Sequence, residues 1–471
     1  MSVRRIAAAC VALVVMGTGA SARAQSDTTL HAVGSVGLGY TDNMFGTPSD
    51  PEPGQPGPVG VWMLELSPGL AVIHDSPRAL HMFTYAHPFT VYLGHSDATQ
   101  QSDVGAWRGL FTLSPQDELI LGLSAERSNT RLGNLNAGAD QTTAASQLTG
   151  DNVLLQTRLS QAYSHEYSGQ WRMTQSSGVG AVIPLDVPTP QPNRYEILLG
   201  GGPEYTTGRN SYGVTGEATY FLVSEVDEGG VYVESAAQIV LSSVFRWRHD
   251  LTETWSTELS GGLAGAMRAD PVRGGVWGPI GLAAVRYASE GYDAGLVVHR
   301  SLGPDLLTAR TVMADHVLLS GGVPIDRENH IILRTGTGYS HSRSLEVQES
   351  GFLVVAPFAT PESTDDARLV TTFDTFVLDA SVGWYPEDLP YVEFRYQHLE
   401  QIGEESQIAP AATFHRNMGM LSVGMMWPAR ETPRVPQREP TRVDDGDQDS
   451  RIIGAQTDGL PRARGARPRN D

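Results

Sequence analysis

The chain has 471 residues, enough for two or three ordinary domains or one large all-β body. It contains no lysine, which excludes Schiff-base chemistry and a P-loop lysine. Acidic residues outnumber basic ones, 53 to 33, and the formal charge of −20 argues against a nucleic-acid partner.

At the N-terminus, Arg4 and Arg5 precede an apolar run from Ile6 to Met16, and Ala22-Arg23-Ala24 offers an A-x-A cleavage pattern. Residues 1–24 therefore read as a secretory signal peptide, and loss of its three arginines takes the charge to −23. The single cysteine, Cys10, lies inside the apolar run and not at its end, so a lipoprotein is disfavoured. The exported chain is then cysteine-free and must be held by backbone pairing and packing. No later run of about 18 apolar residues could form a membrane-spanning helix.

From there to Trp427 the pattern has period two. Leu119, Leu121 and Leu123 alternate with Ser124 and Glu126, and Val153, Leu155, Thr157 and Leu159 with Gln156, Arg158 and Ser160. Val233, Ala237, Ile239, Leu241, Phe245 and Trp247 share one face, opposite Glu234, Gln238, Ser242, Arg246 and Arg248. Phe376, Leu378, Ala380, Val382 and Trp384 oppose Thr375, Asp379 and Ser381, and Val392, Phe394 and Tyr396 oppose Glu393, Arg395 and Gln397. These segments are long for a soluble sheet. Short turns such as Thr207–Asn210, Asp250–Thr254 and Pro386–Pro390 alternate with longer stretches such as Thr41–Pro58, Arg127–Gln147 and Ser342–Leu369.

This predicts an all-β, transmembrane, antiparallel up-and-down β-barrel of about 16–18 strands over residues 25–427, in the outer membrane of a Gram-negative cell. A secreted β-sandwich, propeller or solenoid is the rival, and no blade-length or coil-length repeat favours it. Residues 428–471, rich in Pro, Arg, Asp and Gly, read as a disordered periplasmic tail.

Trp171, Trp247, Trp255, Trp384, Tyr391 and Trp427 lie near predicted short turns or the last strand's end, and are expected to form a periplasmic membrane girdle. Arg108, Arg158, Arg172, Glu234, Arg246, Glu258, Arg334, Asp379, Glu393 and Arg395 are expected to face the lumen, with Glu126, Glu217 and Asp315 beside them. Charges are tolerated there because the interior is hydrated or mutually paired. Such a lumen is either a polar conduit or a plug of paired charges. The spacing of Ser422, Gly424 and Trp427 resembles the C-terminal insertion signal of outer-membrane barrels, although a basic tail follows.

No catalytic residue, metal site or cofactor is expected. Ser164-His165 and Ser340-His341 put serine beside histidine, but neighbours on a strand point to opposite faces, whereas a hydrolase needs them to meet. Asp445, Asp447 and Asp449 alternate as in a calcium loop but lack its glycine and distal glutamate.

The opening segment Gly34–Gly46 carries Gly39-Tyr40-Thr41-Asp42-Asn43-Met44-Phe45. It resembles the Gly-Tyr-x-Asp/Asn-Asn-x-Phe opening of a family of bacterial outer-membrane β-barrels associated with exopolysaccharide and capsule export loci. Read on residue chemistry alone, Asp42-Asn43 is turn chemistry where the chain leaves the bilayer. The resemblance implies passage of a secreted polysaccharide beside a periplasmic export channel. Expected partners are outer-membrane lipid, the barrel-insertion machinery and that export channel, with no nucleic acid. The alternative function is a structural or adhesive barrel with a closed lumen and functional surface loops.

Overall fold

The computed structural model describes residues 27–44, 47, 49, 57–95, 98–129, 153–186, 193–223, 227–228, 231–232, 236–268, 275–289, 291–305, 310–345, 352–354, 369–386, 390–404 and 413–427. The expected signal peptide, the C-terminal tail with its aspartates, and Glu234 lie outside the described residues.

Alternating side chains build long antiparallel strands. In chain order they are β1 (Asp27–Thr41), β2 (Val61–Ser76), β3 in two segments (Ala79–Ala86 and Phe89–Tyr92), β4 (Gln100–Thr112), β5 (Asp117–Asn129) and β6 (Val153–Glu166). There follow β7 (Trp171–Asp186), β8 (Arg194–Thr207), β9 (Asn210–Val223), β10 (Ala236–Asp250), β11 (Trp255–Arg268) and β12 (Gly275–Ser289). The last six are β13 (Tyr292–Asp305), β14 (Arg310–Pro324), β15 (Ile331–Leu345), β16 (Leu369–Trp384), β17 (Tyr391–Glu404) and β18 (Phe414–Trp427). The break in β3 falls at His87-Pro88, where proline has no N–H to give the ladder, yet both segments keep one register against β2.

Each strand pairs with its sequence neighbours, and β18 returns to β1 from Ala32↔Trp427 to Thr41↔Met418. The result is a closed 18-strand barrel. No helix among the described residues is long and apolar enough to cross a membrane. A short strand, Phe352–Val354, pairs in parallel with Gly275–Trp277 of β12, and Asp227–Glu228 pairs with Val231–Tyr232 outside the barrel sheet.

Registers carry one parity around the wall. On β1, Val36, Leu38 and Tyr40 are 51, 50 and 42% exposed, while Gly37, Gly39 and Thr41 between them are buried. Following the paired rows from β1 to β18 keeps Leu159, Leu199, Phe245, Leu263, Leu319, Phe394 and Leu421 on the outer face. A closed barrel with an apolar outer band belongs in a bilayer, because closure leaves no backbone group unpaired in hydrocarbon. Turns at one end are tight, such as Gly208-Arg209, and the joins at the other end are longer, such as 130–152 and 346–368. The short-turn end is therefore periplasmic.

One residue of phase decides the cost of a charge. Val298 on β13 faces outward at 44% exposure and Val297 faces the lumen. Val298→Arg is expected to destabilise the inserted barrel by about 2–4 kcal/mol. Val297→Arg should cost much less, as read by urea unfolding in lipid vesicles.

Candidate functional site

The lumen is the candidate site. The registers place Arg108, Arg158, Arg172, Arg246, Glu258, Arg334, Asp379, Glu393 and Arg395 on its wall. Asp379 and Arg395, on β16 and β17, form an ion pair at 2.7 Å. Arg334 on β15 donates to the Tyr385 hydroxyl at 3.0 Å, with its guanidinium 5.2 Å from the centre of that ring. Arg158 on β6 lies 4.0 Å from Glu196 on β8, in space left by Gly180 on the strand between them. Arg172 stands between Glu166 and Glu204 on its two neighbouring strands. Arg108 stands opposite Met82 and Gly122, Arg246 opposite Gly213 and Ser260, and Glu258 opposite Arg248 and Ala284.

The sequence-based girdle is split by the structure. Trp171, Trp255 and Trp384 face outward at the periplasmic rim, 49, 43 and 41% exposed. Trp247 is on the same outer face, donating to Asn210 at 3.2 Å. Tyr391 is a correction: it stands opposite Gly424 and Ser35 in the inward row. Gly424 has no side chain, so the ring fills that space and stacks on Tyr385 at 5.7 Å. Trp427 ends β18 opposite Ala32, and Ser422 and Gly424 lie in the inward row. Asp315 is the second correction, lying outward and paired with Arg300 at 2.5 Å.

Tyr385 sits just past β16, at the periplasmic base of the lumen. Burial pushes its hydroxyl up to about 12, the nearby Glu393 carboxylate adds to the rise, and Arg334 opposes it. The hydroxyl therefore stays protonated across working pH and accepts from Arg334. Among the described residues one trio could hold a metal, Asp326, Glu328 and His330 in the β14–β15 turn. Desolvation would raise the Asp326 carboxyl, but the backbone N–H groups of Ile331 and His330 outweigh it and hold the carboxyl below its usual range. That carboxylate is already occupied as a turn clasp. In the two Ser-His pairs the structure puts His165 and His341 outward, while Ser164, Ser340 and Ser342 face inward.

The extracellular end holds what sequence reasoning missed. Pairing of β12 with β13 stops at Gly281↔Arg300, although both strands continue. Beyond that point Leu302 and Met313 stand in the outward rows of β13 and β14, yet are only 7 and 3% exposed. They pack with Ala264, Val276 and Ile280 from the inward rows of β11 and β12. Strand β13 also touches β10 and β11, which are not its neighbours in the wall. The ends of β13 and β14 thus fold inside the barrel against its inner wall. The available sequence signal was that Leu302 and Met313 stay apolar beyond the polar pair Arg300–Asp315. A second inward apolar cluster, Met44, Val61, Met63, Tyr92, Ala98 and Met418, lines the wall at β1–β3 and β18.

The opening motif has a structural role at the seam. The Asp42 carboxylate accepts from the Asn417 backbone N–H at 2.7 Å and its side-chain amide at 2.6 Å. The Asn43 amide donates to the Thr47 and His415 carbonyls at 2.8 and 3.0 Å. Met44 enters the apolar cluster, and Tyr40 tilts against Trp62 at 5.4 Å. Asp42-Asn43 therefore latches the first strand to the last. Phe45 lies outside the described residues.

No protein-family model and no curated protein sequence matches the chain. Solved structures are similar at low identity. The siderophore receptor PirA from Acinetobacter baumannii is 9% identical, covers 86% of this chain and 81% of its own, and gives a TM-score of 0.41. OccK2 (OpdF) from Pseudomonas aeruginosa, in complex with glucuronate, is 11% identical, with 85% and 98% coverage and a TM-score of 0.42. The outer membrane protein opdK from Pseudomonas aeruginosa is 12% identical, with 85% and 99% coverage and a TM-score of 0.40. Likeness at this level says nothing of cargo. The barrel rests on its registers.

The infolded strand ends narrow the lumen from one side, so freeing them should widen it. Leu302→Asn combined with Met313→Ser is expected to raise single-channel conductance while insertion, read by heat-modifiable gel mobility, is retained.

Proposed function

We propose that the chain is an outer-membrane conduit for polar solutes, and that an exopolysaccharide is its cargo. The observation that carries the conduit is the lumen wall, where charges stand beside opposite charges as at Asp379–Arg395 and Arg158–Glu196. Paired ions keep spare lone pairs and N–H donors for hydroxyl groups, yet present no net field that would select an ion. Such a wall suits neutral, hydroxyl-rich solutes. The polymer itself rests on the resemblance of Gly39–Phe45 alone.

Conductance of the mature chain in a planar bilayer tests the conduit, with stable open steps expected. Asp379→Asn removes one negative charge from the wall beside Arg395, so selectivity should move toward anions. Silence from protein shown to be inserted would overturn the conduit. Deleting the gene tests the cargo: polymer held in the periplasm is expected, and normal surface polymer would refute it.

The two apolar clusters at the extracellular end favour a second reading, a barrel closed there whose surface segments bind. Removing 346–368 would then abolish cell-surface binding, while lumen substitutions would leave it intact.

A further inference from the structure

Among the described residues one arrangement recurs five times on the outer wall. An aromatic residue and a histidine two positions later share one acceptor on the neighbouring strand. On β3 and β4, Tyr85 and His87 meet Asp103 at 2.8 and 2.9 Å. On β15 and β16, Tyr339 and His341 meet Asp374 at 2.6 and 2.7 Å. On β17 and β18, Tyr396 and His398 meet Asn417 at 2.7 and 2.8 Å. On β6 and β5, Tyr163 and His165 meet Asp117 at 2.5 and 2.7 Å. On β10 and β9, Trp247 and His249 meet Asn210 at 3.2 and 2.9 Å.

The geometry follows one rule. Four of the acceptors stand opposite their histidine in the ladder, and Asp103 continues the register that pairs Tyr85 with Gly105. In every case the aromatic reaches the acceptor diagonally. The first three clamps lie toward the extracellular ends of their strands and the last two at periplasmic ends. In all five the aromatic is on the midplane side and the histidine on the water side. Viewed along the histidine's strand, the acceptor is always on the same hand, because upward strands use the following strand and downward strands the preceding one.

Each acceptor takes hydrogen bonds from the aromatic O–H or N–H and from imidazole Nδ1–H, so Nε2 is directed away from it. At His341 the Arg343 Nε–H donates to that Nε2 at 2.8 Å. At Asn417 the amide nitrogen donates to Asp42, which turns the carbonyl oxygen toward Tyr396 and His398. A carboxylate on a lipid-facing wall is costly alone, and these donors satisfy it where hydrocarbon gives way to headgroups. On β16 the outward row from Trp384 to Phe376 is apolar and ends at Asp374. Ten residues at the strand rise and barrel tilt span about 25 Å, the height of a barrel's apolar band. Beside the Tyr163–His165 clamp, Met173, Leu199, Gly201 and Gly216 border a groove of about 740 Å³ on the outer wall, open to an acyl chain.

We propose that the five aromatic-x-His clamps are the barrel's contact with lipid headgroups, three toward the extracellular rim and two at the periplasmic rim, and that they select a bilayer whose apolar slab matches the barrel's outer apolar band. The aromatic meets acyl chains and the imidazole meets the headgroup layer.

The test is urea unfolding of the full mature chain, followed by tryptophan fluorescence, in phosphatidylcholine bilayers with 14-, 18- and 22-carbon monounsaturated chains and in maltoside micelles. Wild-type stability should peak at one chain length. His165→Ala and His341→Ala should each lower the folding equilibrium constant roughly three- to tenfold in that lipid and flatten the peak, with little change in micelles, which adapt to any thickness. Asp374→Asn should keep most of the stability, because asparagine already serves as acceptor in two clamps. If a histidine variant does not insert, Tyr339→Phe removes one donor and gives the same reading. Equal losses in micelles and in every bilayer, or none anywhere, would overturn the proposal.

Discussion

Closure is the constraint on which the rest depends. Within hydrocarbon no water pairs a free N–H or C=O, and each orphan costs several kcal/mol. The sheet must therefore end where it began, and β18 meets β1 over ten residue pairs. The seam joins strands farthest apart in sequence, so loop closure gives it the largest entropic cost. Side chains reinforce it, with Asp42 on Asn417 and Asn43 on the His415 carbonyl. Both lie above the last seam pair, where water competes and backbone pairing alone would fray.

The same constraint explains where closure is relaxed. Pairing of β12 and β13 runs from Gly281 to Ser289, nine residues, the lower limit for crossing a bilayer as a tilted strand. Above Gly281 β12 parts from β13, and its Gly275–Trp277 stretch pairs instead with Phe352–Val354. Pro279 could not donate to a ladder there, and β13 is free to turn inward. The apolar residues it takes along, Leu302 and Met313, find cover against Val276 and Ala264 in place of lipid. The polar pair Arg300–Asp315 marks the level of the change.

The outer and inner rows were legible in the sequence because period two is a direct consequence of strand geometry. Phe376–Trp384 and Val392–Tyr396 fall on the outer face as alternation requires. Tyr391 departs from the expected girdle because phase outweighs proximity to a turn: with Val392 outward, its neighbour must face inward, where Gly424 leaves it room. Asp315 was misread because charge was equated with lumen, whereas an outward charge at the headgroup level is equally well served by Arg300. The clamps were invisible because a Tyr-x-His spacing gains meaning only from the residue across the ladder, and register is not written in one strand. The infolding of β13 and β14 depends on contacts with β11 and β12; the sequence carries apolar Leu302 and Met313 beyond Arg300–Asp315, but not the wall they meet.

The two ends of the lumen pose opposite problems to a polar solute. The periplasmic base offers Arg334, Tyr385 and the Asp379–Arg395 pair, so a solute can exchange water for protein hydrogen bonds with little loss. At the extracellular end Met44, Met63, Tyr92 and Met418 are buried against one another on one side, and the infolded strands cover Ala264 and Val276 on the other. In the proposed conduit, these packed clusters place the resistance to transport at the extracellular end. It is set by how firmly Leu302 and Met313 hold β13 and β14 against the wall, since those contacts are apolar and make no backbone ladder with β12. The proposed conduit would have its selectivity along the wall and its control at the mouth.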